Sequence, residues 1–181
     1  MAINATVGPL MSHVPFLSSD DGAMIELHLV RSNPIMRASK EPQTAKIAVS
    51  GAYSYISPDW CAMIDQVPTW NYVAVHLTGT LYLRPQEELH DLLDRQSAFY
   101  EDRLIPKKPR KTGKMSDGVM DRMMRMIVPC RMNVNAIDGT WKLGQNKPDA
   151  TRKAAANKVP ANGIGAETEA LAALIHCPGK H

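Results

Sequence analysis

The sequence predicts a small antiparallel β-barrel flanked by helices, and three observations carry that expectation. Five or six strand-like runs precede most of the helix-like ones. The punctuation between the early runs, above all Asp20-Asp21-Gly22, suits hairpin turns. Neither a strand–GxGxxG–helix word nor a Walker word is present, so parallel nucleotide-binding sheets lack support.

Each element follows from its residues. Residues 1–17 read as two strands, "MAINATV" and "LMSHVPFL", broken at Gly8-Pro9. After the Asp20-Asp21-Gly22 turn, "AMIELHLV" is a third strand. Its period of two places Met24, Glu26, His28 and Val30 on one face and Ile25, Leu27 and Leu29 on the other, the core face. Asn33-Pro34 ends it, because proline has no ladder donor, and "PIMRASKE" forms a short helical turn. "AKIAVSGAYSYI" is the fourth strand, with Ile47, Val49, Gly51, Tyr53 and Tyr55 on one face; Gly51 marks a bulge or a close approach. "VPTWNYVAVHLTGTL" is the fifth strand, its strict alternation ending at Gly79.

Pro85 then opens a helix through about Glu101, with Leu89, Leu92, Leu93, Gln96 and Tyr100 at helical spacing. A helix over 117–127 carries Met120, Met123, Met124 and Ile127 as its stripe, read as core or as a soft interface. "CRMNVNAI" is a sixth strand, ended by an Asp138-Gly139 turn before "TWKLGQN". A short helix near 150–157, a Pro/Gly joint at 160–165 and a helix over 167–176 complete the chain. The barrel core is thus expected at about 1–83 and 128–146, with helices at 85–127 and 149–176, all within a single domain of 181 residues.

A hydrophobic share of 44% with 22% charged residues suits a soluble globular protein. No apolar run approaches the ~20 residues of a membrane span, and the start lacks a secretory signal. Cys61, Cys130 and Cys177 form no Cys-x-x-Cys pair, which fits reduced thiols in a cytoplasmic protein and is not a zinc pattern. The six histidines are dispersed, so no metal site is expected. A net charge of +3 is too mild to imply nucleic-acid binding by itself.

Four polar-aromatic words stand out. In "HLVRSN", Arg31 offers a planar fork of donors suited to a phosphate, against the plainer reading of a solvated arginine beside a core-edge histidine. In "YSYISPDW", Tyr53, Tyr55, Ser57 and Trp60 could floor a planar ligand or fill a barrel end. "PTWN" sets Trp70 and Asn71 at the mouth of the fifth strand, and "WKLGQN" gathers Trp141, Lys142, Gln145 and Asn146 after the sixth. The basic run "KKPRKTGK" reads as a solvated linker or as a phosphate-contacting loop.

Taken in order, "SHVPFL", "HLVRSNP", "YSYISPDW", "VPTWNYVAVHLTGTL" and "WKLGQNK" closely resemble the PaiB family of FMN-binding negative transcriptional regulators, over about Ala5 to Asn157. The resemblance implies an FMN-binding split β-barrel of the pyridoxamine-phosphate-oxidase type, a homodimer with FMN in the groove between subunits. It places His28, Arg31 and Asn33 at the phosphate end and His13 near the ring system. Tyr55, Ser57, Trp60, Trp70 and Asn71 would line the groove, with Lys142, Gln145 and Asn146 closing it.

The chain departs from the family words in places. Where relatives have Gly-Pro-His-Ala-Tyr-Ile-Ser-Pro, this chain has Ala52-Tyr53, so a phenol replaces a histidine. Gly144 and Lys147 replace a serine and an arginine. Relatives begin with a helix before the first strand; here the chain starts almost within that strand, so either the start lies upstream or a barrel edge is covered otherwise. The expected function is an FMN-binding regulator, touching DNA if at all through Lys107, Lys108, Arg110, Lys111 and Lys114. The alternatives are a flavin-dependent oxidoreductase using a reduced nicotinamide, and a barrel that holds haem or another planar ligand.

Overall fold

The computed structural model of the chain describes residues 1–61, 66–108 and 118–179. The first thirty residues do not form one antiparallel meander; they form two separate hairpins, residues 2–11 and 16–30, at opposite ends of the strand order. Strands β1 (Ala2–Ala5) and β2 (Gly8–Met11) pair antiparallel with Ala5 opposite Gly8, so the turn is Thr6-Val7 and Gly8-Pro9 open the next strand. Pro9 is tolerated there because β2 ends the strand order of the sheet, where a missing ladder donor costs little. The run read as one strand from Leu10 to Leu17 is two pieces: His13 lies in the connection between β2 and β3 (Phe16–Ser18), not on a strand.

The next turn behaves as its residues demand. Asp21 Oδ1 accepts from Ser19 Oγ (2.6 Å) and from the Ala23 amide (3.0 Å), while Gly22 takes φ of 70°. It delivers β4 (Met24–Val30), on which Ile25, Leu27 and Leu29 are buried as the alternation requires. Helix α1 (Pro34–Ala38) follows, capped by Asn33.

The sheet continues through long strands: β5 (Gln43–Ile56), β6 (Thr69–Leu83) and β7 (Ile127–Lys142). The strand order is β2-β1-β5-β6-β7-β4-β3, and β8 (Gly165–Ala166) pairs with β5. Gly79 does not end β6. A Cβ there would stand 2.1 Å from the Asn133 carbonyl oxygen, so the glycine marks a close approach of backbones inside the sheet. Nor do Asp138 and Gly139 form a turn, since β7 runs on to Lys142. Gly139 instead makes room for Trp141, whose ring a Cβ would meet at 2.1 Å.

Among the helices, a 3-10 turn (Gln86–Glu88) leads into α2 (Leu89–Glu101), which buries Leu89, Leu92 and Gln96 but leaves Tyr100 exposed. Helix α3 (Val119–Met124) buries nothing; Met123 is 55% exposed, so its methionines are not core. Helix α4 (Asp149–Asn162) runs through the expected joint. Pro160 falls in its last turn, where little helix remains to be broken, and Gly163 (φ 61°) ends it before α5 (Thr168–His176). No helix among the described residues is long and apolar enough to cross a membrane.

The chain divides into two compact units, Met1–Ile47 with Leu77–Ala136, and Ala48–His76 with Ile137–His181. The first buries Ile3, the β4 core face, Ile35, Ile47, Leu81, Leu89 and Met132. The second is built on Ala52, Ile56, Leu143, Ala156, Val159, Leu171 and Ile175, with Trp60 and Trp141 packed against them. Strand β5 serves both cores by inverting its pattern. Ala45 and Ile47 are buried early, but Ala52, Ser54 and Ile56 are buried later, which turns Val49 and Tyr53 out to solvent.

Candidate functional site

The inversion of β5 creates an open aromatic surface in the second unit. Gly51 and Tyr53 of β5, with Trp70, Tyr72, Val73 and Ala74 of β6, line a shallow groove of about 280 Å³. Tyr53 is 40% exposed and Trp70 46%, unusual for such large rings. Their centroids lie 5.9 Å apart at 47°, and Tyr55 sets its edge against both Trp60 (6.3 Å, 85°) and Trp70 (6.2 Å, 77°). A Cβ at Gly51 would sit 3.3 Å from the Val73 carbonyl, so the glycine lets the two strands approach closely under the groove.

Sequence reasoning singled out Tyr53, Tyr55, Trp60 and Trp70 for a planar ligand and Gly51 for a close approach, but missed Tyr72 as lining. Gly51, Tyr53 and Tyr55 share a face by their spacing. Ser57 lies just beyond β5, its carbonyl accepting from the Trp60 amide at 3.2 Å. Asn71 points to the other side of β6 and is only 5% exposed.

The polar word after β7 is built in the same unit. Lys142 Nζ donates to Thr69 Oγ1 at 2.8 Å. Gln145 is spent on the turn itself: its Oε1 accepts from the Leu143 amide (2.9 Å) and its Nε2 donates to the Trp141 carbonyl. Asn146 is exposed on that turn. Gly144 takes φ of 74°, the left-handed region that a serine would enter only with strain. Lys147 Nζ donates to Gln66 Oε1 at 2.7 Å.

In the first unit the residues expected at a phosphate make hydrogen bonds within the protein. Arg31 Nε donates to the Arg125 carbonyl (2.7 Å) and Nη2 to Gln86 Oε1 (2.6 Å). Asn33 caps α1, its Oδ1 accepting from the Ile35 amide (2.9 Å) and its Nδ2 donating to Ser12 Oγ (3.0 Å). His28 is half-buried. Desolvation pushes its pKa down, and Gln96 opposes that shift to a smaller extent. His28 Nδ1 and Gln96 Nε2 are both buried without a hydrogen-bond partner, so the pair is poorly satisfied. His13 is exposed in its connection.

Of the basic run, Lys107 pairs with Glu101 and Lys108 is exposed, while Arg110, Lys111 and Lys114 lie outside the described residues. The described residues include no cluster suited to a metal ion. Burial pushes the Cys130 thiol to about 12, so that cysteine is inert packing.

Comparison with known proteins bears on the family and the fold. The chain is 30% identical over 141 residues to "Protease synthase and sporulation protein PAI 2" of Bacillus subtilis, covering 77% of this chain and 67% of that protein. It is 35% identical over 80 residues to an uncharacterized protein of Saccharomyces cerevisiae, covering 40% and 47%. Its fold resembles that of an FAD and heme binding protein from Mycobacterium smegmatis, with a TM-score of 0.55 at 13% identity over 91% of this chain and 71% of the other. Residues 1–136, which include the whole aromatic groove, match the family described as "Putative FMN-binding domain", and the chain belongs to that family as a homologue of the PaiB-type proteins.

Proposed function

We propose that the protein binds FMN, laying the isoalloxazine ring on the groove of Tyr53, Trp70 and Tyr72, and acts as a PaiB-like negative regulator of transcription. The observation that carries the reading is the exposed Tyr53–Trp70 pair over a groove floored by Gly51, in a member of this family. The donor set fits the group. An isoalloxazine has a flat apolar body and a polar rim, and the groove offers ring faces with the Tyr53, Tyr72 and Ser50 hydroxyls beside them. Tyr53 stands where the family resemblance expects a histidine, so the protein meets the ring with a phenol. No histidine lines the groove, which therefore supplies no axial nitrogen of its own to a haem.

A second copy of the chain completes the site in this reading. At about 280 Å³ the groove is smaller than a site that encloses most of a ligand, typically ~300–1,000 Å³, so it covers one side of a flavin only. In β7, Asn135 through Thr140 are exposed at every position, Ile137 by 55%, which leaves a stretch of strand with neither face covered. Such a surface suits burial in a homodimer.

FMN supplies hydride and single-electron chemistry when bound, while the protein supplies position and electrostatics. No side chain of the groove is an acid or base suited to a separate catalytic step, and a binding role needs none. The test is the visible spectrum of the purified protein after titration with FMN and removal of free flavin. A retained flavin spectrum that stays oxidised with a reduced nicotinamide supports the regulator. Turnover of the nicotinamide makes it an oxidoreductase, and a colourless protein overturns the reading.

A further inference from the structure

We infer that the first unit holds a ligand site of its own, a cavity between β4, α2 and β7 that takes the phosphate or carboxylate head of a small metabolite. The inference stands without the FMN reading, because the aromatic groove is built from residues of the other unit.

The cavity has a volume of about 170 Å³, and its charged lining is Arg84, Arg95 and Arg131 with Glu26, Glu88 and Asp91. One water takes up about 30 Å³, so the space exceeds what a single bridging water fills. It falls short of the ~300 Å³ at which drug-sized sites begin, which limits it to a small molecule or a head group. Leu92, Pro129 and Cys130 complete the lining with uncharged surface.

The hydrogen bonds around the cavity leave donors in surplus. Both oxygens of Glu26 already accept, Oε2 from Arg95 Nη1 (2.7 Å) and Oε1 from Arg131 Nη2 (3.2 Å). Both oxygens of Glu88 accept from Arg84, at 2.6 and 3.0 Å. Asp91 Oδ2 accepts from Arg95 Nε (2.7 Å), and its side chain is 73% exposed, so water and salt screen its charge. Each guanidinium, by contrast, is a fork of N–H donors with no acceptor. Among the described residues Arg131 donates through Nη2 alone, and its Nε is buried without a partner. A buried donor on a charged group is expensive to leave unpaired, so Arg131 calls for an acceptor that the protein does not supply. Three guanidiniums face the carboxylates of Glu26 and Glu88, with the third carboxylate out in solvent, and that balance favours an anion. Planar forks of this kind match the oxygens of a carboxylate or a phosphate.

Isothermal titration of the full chain with inorganic phosphate and with acetate, against chloride at equal ionic strength, tests the site. At least one of the two oxyanions should bind saturably where chloride does not, and the one that does names the head group. Arg131→Lys keeps the charge but removes the Nε–H and the fork, and it should weaken that binding about tenfold or more. Arg84→Lys should weaken it in the same direction, and carries the test if Arg131→Lys does not fold by circular dichroism. Lys46→Gln, which removes an exposed charge on β5, should leave the affinity unchanged. A wild-type protein that binds neither oxyanion better than chloride overturns the site. So does binding that survives both arginine changes, or binding that Lys46→Gln weakens as much as they do.

Discussion

Trp70 and Tyr53 present their rings to solvent side by side, 5.9 Å apart and tilted by 47°, on neighbouring strands. Exposed rings held this close are costly to leave in water and suited to a flat partner. Stacking of a planar heterocycle on an aromatic side chain is worth about 1–3 kcal/mol. Trp70→Ala should therefore weaken FMN binding about fivefold to a hundredfold in a fluorescence titration. Because Trp70 is 46% exposed, the thermal midpoint should move little. Unchanged FMN affinity would remove the ring from this groove.

The parts of the fold legible in the sequence were those where a pattern and a core agreed. Ile25, Leu27 and Leu29 alternate and are buried, and Leu89 and Leu92 recur at helical spacing and are buried. Periodicity marks a stripe but not what covers it, and so Tyr100 and Met123 kept their spacing and stayed exposed. Asp138-Gly139 carried a turn signal that the sheet overrode, because the glycine makes room for the Trp141 ring. The site followed the same logic. Trp70 stood out as an indole at a strand mouth, whereas Tyr53 is exposed because β5 changes its buried face after Ile47. Arg31 looked like a phosphate fork by chemistry, yet its neighbours Gln86 and Arg125 lie far along the chain and were not visible locally.

Arg31 is first a test of stability. It ties the end of β4 to the entry of β7, where its own amide also donates to the Met126 carbonyl at 2.8 Å. Hydrogen bonds from a charged group contribute about 1.5–3 kcal/mol, and exposure of this side chain reduces that to about 0.5–1.5 kcal/mol. Arg31→Ala should lower the unfolding free energy from urea titration by that amount while FMN affinity stays at the wild-type value. A protein of unchanged stability that has lost FMN would restore the phosphate to Arg31.

Gly79 makes a sharper structural prediction. A Cβ at this position would approach the Asn133 carbonyl oxygen to 2.1 Å and its carbon to 2.9 Å, both of them backbone atoms that cannot swing aside. Overpacking that forces backbone shifts costs about 1–3 kcal/mol or more. Gly79→Ala should lower the thermal midpoint by several degrees, whereas Gly118→Ala should cost less, since nothing lies within 4 Å of its Cβ position despite a φ of 72°. Equal effects of the two changes would show that β6 and β7 can separate at Gly79 without loss.

Acid sensitivity should come in two steps, each with a contribution from the same face of β4. Burial lowers the His28 pKa below its usual 6.5. Just below pH 6.5 the unfolded chain thus takes up a proton that the folded chain refuses, and stability falls until the folded value is reached. Burial alone would raise the Glu26 pKa, but Arg95 (2.7 Å) and Arg131 (3.2 Å) outweigh it and hold the carboxyl below its usual 4.5. Its contribution is complete above 4.5 and is lost as the pH falls through the lower folded value. Urea midpoints followed from neutral pH downward should therefore decline first below 6.5 and again below 4.5. His28→Gln should flatten the first decline and leave the second, and Glu26→Gln should leave the first and shrink the second, to which the lowered carboxyls of Asp21, Glu88 and Asp149 also contribute. If either substitution leaves both declines intact, the ionisation it removes is not coupled to folding.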